Sequence, residues 1–146
     1  MAHILSINIS KKKGIMKHPI SEARLLKGFG IEGDAHGGDW HRQVSLLSQS
    51  SVDKMTAKGA IDLKPGMFAE NITIEGLDVH ALPIGTQIQL GECLLEVTQI
   101  GKECHQHCEI FRKVGDCVMP REGIFAIVLE EGTLRPGDPI TVLTKN

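Results

Sequence analysis

Leu5, Ile7 and Ile9 alternate with Ser6, Asn8 and Ser10 near the start of the chain, the period-two pattern of a strand with one buried face. Similar alternation, or a short apolar run between turn residues, returns in QVSLLS (43–48), ENITIE (70–75), TQIQL (86–90), CLLEVTQI (93–100), GIFAIVL (123–129) and PITVLT (139–144). Between them stand Pro65-Gly66, Gly76, Gly85, Gly91, Gly101, Gly115, Gly123, Gly132 and Pro136-Gly137-Asp138, spaced at roughly the 8–12 residues that many short strands require. SEARLLKGFG (21–30) is expected to extend the sheet that the first strand begins.

Two stretches follow a helical period instead. In SQSSVDKMTAKG (48–59) Ser50 or Ser51 suits an N-cap, Val52, Met55 and Ala60 fall on one face, and Gly59 suits the C-terminal end. From Glu103 to Lys113, Cys104, His107, Cys108 and Phe111 recur at i, i+3, i+4 and i+7, so a helix there would carry both thiols on one face. The pattern predicts a mainly β protein: a closed or nearly closed antiparallel β-barrel with two or three short helices, since closure removes exposed strand edges. With 146 residues and 41% hydrophobic content, one domain over 1–146 is expected.

Charge and aromatic content narrow the function. A net charge of −2 offers no basic surplus for nucleic acid, and 3% aromatic residues without tyrosine cannot build a base-stacking surface. MAHILSINISKKKG lacks the apolar core of a secretory signal and no apolar run is long enough for a membrane helix, so a cytosolic protein is expected. In that compartment Cys93, Cys104, Cys108 and Cys117 read as thiols or ligands rather than as a disulfide framework.

The densest chemistry lies in GKECHQHC (101–108). A structural zinc would have to recruit Cys93 or Cys117, because five adjacent residues cannot wrap one tetrahedral ion. Cys93 and Cys117 fit small buried hydrophobes. Around Cys104 and Cys108 stand Lys102, His105, His107, Arg112 and Lys113, and such cations favour the thiolate, the form that attacks, carries sulfur or binds a soft metal. A second concentration, the glycine-rich GIEGDAHGGDWHRQVSLL (30–47), offers His36 and Arg42 for an anion such as phosphate; Asp34 and Asp39 equally suit a Ca²⁺ or Mg²⁺ ion. In KPGMFAENITIEG (64–76) Asn71 sits just before a strand, as a turn cap or a ligand contact, while His3, His18 and His80 are isolated.

Taken in order, GDAHGGDWHRQVSLL, PGMFAENITIEGL, LGECLLEVTQIGKECHQHC and MPREGIFAIVLEEGTLRPGD resemble successive blocks of the MOSC domain, the family named for the C-terminal domain of molybdenum cofactor sulfurase. The likeness spans roughly residues 3–143 and is greatest to the small bacterial members. It implies a barrel-based β fold and a role with the molybdenum cofactor (molybdopterin), a phosphorylated pterin whose dithiolene sulfurs hold molybdenum. It implies also a principal cysteine that carries a persulfide sulfur from a pyridoxal-phosphate cysteine desulfurase or binds molybdenum directly. Cys108, followed by Glu109, Ile110 and Phe111, matches that position best, with Cys104 second; His107 before it departs from the commoner proline or arginine. On this reading His36, Arg42, Asn71, Lys102 and His107 are cofactor-binding candidates, Cys108 the metal ligand, and a cysteine desulfurase or a molybdoenzyme the partner, with a homodimer compatible. Reduction of N-hydroxylated compounds is the enzymatic alternative, and a zinc-stabilised binding module the non-catalytic one.

Overall fold

Strands account for most of the regular structure in the computed structural model, which describes residues 2–12, 17–57, 59, 66–101 and 122–143. In chain order they are β1 (His3–Ile9), β2 (His18–Ile20), β3 (Ala23–Leu26), β4 (Gly30–Ile31), β5 (Val44–Ser48), β6 (Ile72–Glu75), β7 (Gln87–Leu90), β8 (Cys93–Ile100), β9 (Ile124–Glu130), β10 (Gly132–Leu134) and β11 (Ile140–Leu143). Helix α1 (Gln49–Ala57) follows β5, and a single 3-10 turn covers Val79–Ala81. The second expected helix, from Glu103 to Lys113, lies outside the described residues, as do Cys104, Cys108, Cys117, Lys102 and His107.

The strands form an eight-stranded sheet ordered β11-β7-β8-β9-β5-β6-β1-β2 and a three-stranded sheet ordered β10-β3-β4. Neither closes into a barrel, which corrects the closed form of the closed or nearly closed barrel expected. Where β1 approaches β11, pairing stops at one bridge between His3 and Pro139 and the backbone bonds joining residues 2–4 to residues 137–140. Pro139 has no N–H to carry a ladder further. At the opposite end β2 is held to β1 through Asn8 opposite Pro19, and that proline likewise blunts an edge strand. The segment 21–30 does not extend the first sheet: β3 pairs with β10 and β4 instead, and its Ala23 and Leu25 join the core from the smaller sheet.

The sheet is not wholly antiparallel either. β5 and β6 run parallel, with Leu46 opposite Ile72 and Ser48 opposite Ile74, and α1 begins the crossover between them. A parallel strand inside a sheet is covered on both faces, and every residue of β5 is buried. That explains why QVSLLS alternates poorly.

β1 shows how far alternation alone can mislead. A register shift between Ile4 and Ser6 turns Leu5 outward, at 36% exposure, and puts Ile4 in the core beside Ile7. The polar face of β1 is buried too, with Ser6, Asn8 and Ser10 all inside. In α1, Val52 and Met55 are buried as the helical period predicts, and Gly59 (φ +101°) donates its N–H to the Thr56 carbonyl at 3.1 Å. The serines do not cap. β5 runs directly into the helix, so Ser50 and Ser51 sit in its first turn and donate to Asp78 Oδ1 (2.5 Å) and Glu122 Oε1 (2.6 Å).

Candidate functional site

The loop from Glu32 to Arg42 is held at both ends. At its start, Asp34 is buried and accepts from the backbone N–H of Ser10 at Oδ1 (3.1 Å), from that of His36 at Oδ2 (3.2 Å), and from Lys17 Nζ at Oδ1 (2.7 Å). The two side chains of the ion pair are 1% and 0% exposed. Lys17 Nζ also lies 2.9 Å from His36 Nδ1 and 3.4 Å from Ser10 Oγ. Gly66 holds the lysine from behind: its carbonyl accepts from Lys17 N (3.0 Å), and at φ +86° a Cβ would strike the Lys17 carbonyl. Asp34 is therefore the partner of a lysine, not half of a cation site with Asp39, which is exposed. Among the described residues no group of three or more His, Cys, Asp and Glu could hold a metal ion.

At the far end, Trp40 Nε1 donates to the His36 carbonyl (2.8 Å), and His41 Nε2 and Arg42 Nε both meet Gln99 Oε1, at 2.8 and 3.1 Å. Gln99 in turn donates through Nε2 to Gly101 O (2.7 Å), and Gly101 donates its N–H to Gly123 O (2.6 Å), which joins the end of β8 to the start of β9. Thr98 Oγ1 binds the His41 carbonyl as well. The Arg42 guanidinium lies over the Phe125 ring, 5.1 Å from its centroid. Only its Nε is used, so both Nη groups meet no acceptor among the described residues. His36 and Arg42 thus share one loop but hold different neighbours, Lys17 and Gln99.

Asn71 has another task. It is 1% exposed, accepts at Oδ1 from Ser45 N (2.9 Å) and Ser45 Oγ (3.1 Å), and donates through Nδ2 to Asn8 O (3.0 Å). It fastens β1, β5 and β6 together, away from solvent.

Beside it Glu70 is buried, accepting from Phe68 N (3.1 Å) and Thr73 Oγ1 (2.7 Å). Burial pushes its carboxyl above the usual value of 4.5, against these hydrogen bonds. Below about 4.5 the acid is protonated folded or unfolded and its contribution to stability is fully present. As pH rises through the raised folded value the unfolded chain has already released its proton, so that contribution is lost. Glu70→Gln should therefore gain stability relative to the wild type as pH rises from 4 to 8 in urea titrations. A difference that stays constant would show that the carboxyl titrates normally.

Sequence reasoning missed two further features. Nothing local to Lys17 in KKKGIMK announces a partner 17 residues on. Glu122 binds Lys54 Nζ (2.8 Å) and Ser51, with His80 Nδ1 at 3.9 Å. Its partial burial opposes the charge, but the Lys54 and Ser51 hydrogen bonds prevail and hold the carboxyl below the usual range. His3 faces Glu75 at 3.9 Å and His18 lies on the exposed edge strand. Cys93 is fully buried, and burial, with Glu92 nearby, pushes its thiol up to about 11. It is the small core hydrophobe its sequence suggested. No described helix is long and apolar enough to cross a membrane.

Comparison with known proteins agrees with this fold. YflK, an uncharacterised protein of Bacillus subtilis strain 168, is 26% identical over an alignment of 170 residues covering 97% of this chain and 73% of its own. The crystal structure of YuaD from Bacillus subtilis superposes with a TM-score of 0.79 at 20% identity, over 96% of this chain and 94% of that one. YiiM from Geobacillus stearothermophilus gives 0.75 at 21% identity, over 99% and 76%. The sequence profile of the MOSC domain matches residues 32–141, from the Asp34 loop through to β11. The chain belongs to the MOSC domain family, a family associated with the molybdenum cofactor.

Proposed function

We propose that the protein binds the molybdenum cofactor or its pterin precursor and handles it through a reactive cysteine, Cys108, acting as sulfur carrier or metal ligand. The observation that carries the reading is the Arg42 fork. Gln99 and the Phe125 face orient the guanidinium, and its two Nη groups are left for an anion such as the pterin phosphate. Gln99 stands two residues before Gly101, after which the chain continues directly into Lys102, Cys104, His107 and Cys108. A fixed guanidinium and a row of thiols and imidazoles adjoining in sequence suit a phosphorylated, sulfur-rich ligand. When bound, the cofactor would supply molybdenum redox and dithiolene sulfur chemistry. The chain's own part is to hold the anion and to present a thiolate. As a carrier, that thiolate attacks the outer sulfur of a cysteine desulfurase persulfide, the donor S–S bond breaks, and the donor cysteine leaves as thiolate.

The test is to purify wild type, Cys108→Ser and Arg42→Ala from a host that makes the cofactor. Molybdenum, zinc and the fluorescence of the oxidised pterin are then measured. Wild type should carry pterin; Cys108→Ser should lose the molybdenum or the persulfide, and Arg42→Ala should lower pterin content by about tenfold or more, the worth of a charge-assisted bond pair. Stoichiometric zinc without pterin, or neither, overturns the reading. Alkylation adds an internal control, because Cys93 should remain unlabelled in the folded protein while Cys108 reacts. Reduction of an amidoxime by the loaded protein would extend the role to catalysis.

A further inference from the structure

We propose that Lys17 is a positioning residue for His36: its ammonium occupies the Nδ1 lone pair, so that His36 stands as a neutral imidazole carrying its proton on Nε2. The argument is one of donors and acceptors. Asp34 receives two backbone N–H groups and Nζ, the full environment of an ionised carboxylate, and the buried lysine 2.7 Å away is its countercharge. A lysine ammonium has three N–H donors and no acceptor. At 2.9 Å from Nζ, His36 Nδ1 must accept, and a neutral ring that accepts at Nδ1 donates at Nε2. The backbone makes the arrangement rigid: the His36 N–H binds the same carboxylate, and its carbonyl takes the Trp40 indole.

Resting on the function proposed above, the consequence is a division of labour. A ring nitrogen that bears a proton cannot ligate a metal, so on that reading His36 serves a bound ligand only as a hydrogen-bond donor and not as a metal ligand. Arg42 supplies the charge, and metal or sulfur bonding is left to the cysteines.

The deciding measurement is the ring-nitrogen NMR spectrum of ¹⁵N-histidine-labelled protein at pH 7.5, with no cofactor present, His36 being identified by the signal lost in His36→Gln. Nδ1 unprotonated and Nε2 protonated is expected; a protonated Nδ1 overturns the proposal. Lys17→Met should release the ring into a mixture of tautomers and Lys17→Arg should keep the single one. An unchanged spectrum in a folded Lys17→Met overturns the role of the lysine, and if that variant does not fold the wild-type spectrum still decides. In protein from a cofactor-making host, His36→Gln keeps a donor near the Nε2 position and should retain pterin, whereas His36→Asn should lose about tenfold. Equal retention removes the donor role. Absence of pterin from the wild type defeats the functional reading and the donor role together, while the spectrum still settles what Lys17 does.

Discussion

Asp34→Ala should lower the unfolding free energy by about 3–5 kcal/mol, because it removes the carboxylate facing a lysine that is itself inside the protein. Desolvating an ammonium is costly, and the Coulombic return inside the protein depends on close geometry, here 2.7 Å. The substitution also takes away the acceptor for the Ser10 and His36 amides, so the loop loses its anchor along with its charge. Urea unfolding of Asp34→Ala, Lys17→Met and the double variant Lys17→Met with Asp34→Leu forms a cycle. The double variant should recover the part of the loss that comes from the unpaired charge, since apolar groups can replace a buried ion pair at little cost, while the Ser10 and His36 amides still lack their acceptor. A single variant within about 1 kcal/mol of wild type would mean that water reaches the pair.

Leu46→Ala is the second large effect, about 2–5 kcal/mol from lost burial and the cavity left behind. Leu46 is fully buried in the middle of the eight-stranded sheet, opposite Ile72 of β6 and Ile124 of β9, which are fully buried as well. With a parallel neighbour on one side and an antiparallel one on the other, the site has little room to collapse. Leu5→Ala makes the control, since the same deletion on the outward side of the β1 irregularity should change stability by no more than about 0.5 kcal/mol. Comparable losses at the two positions would contradict the register of β1.

The candidate site was legible to different depths. His36 and Arg42 announced themselves through glycine-rich surroundings and polar chemistry, and the structure puts both on a loop held at its two ends. Asn71 carried the same local signature but is engaged with Ser45 and Asn8 inside the sheet, because polar type reports hydrogen-bonding capacity and not the partner that uses it. By residue type Asp34 suits a cation as well as its loop suits an anion, for the same reason. Its lysine partner lies beyond any periodic pattern, in a segment that looks like a solvated basic run.

By itself the sequence determined that the chain is mainly β and where most of the strands and α1 run. Side-chain period and turn chemistry are properties of a few adjacent residues, and they survive whatever those residues later pack against. Only the tertiary structure decided that the sheet stays open, that β5 and β6 are parallel, that β3 belongs to a second sheet, and that Lys17 is buried against Asp34. Each of these depends on which distant groups meet. Partner choice is settled by burial and by pairing donors with acceptors across the whole molecule, a physics that no local window contains.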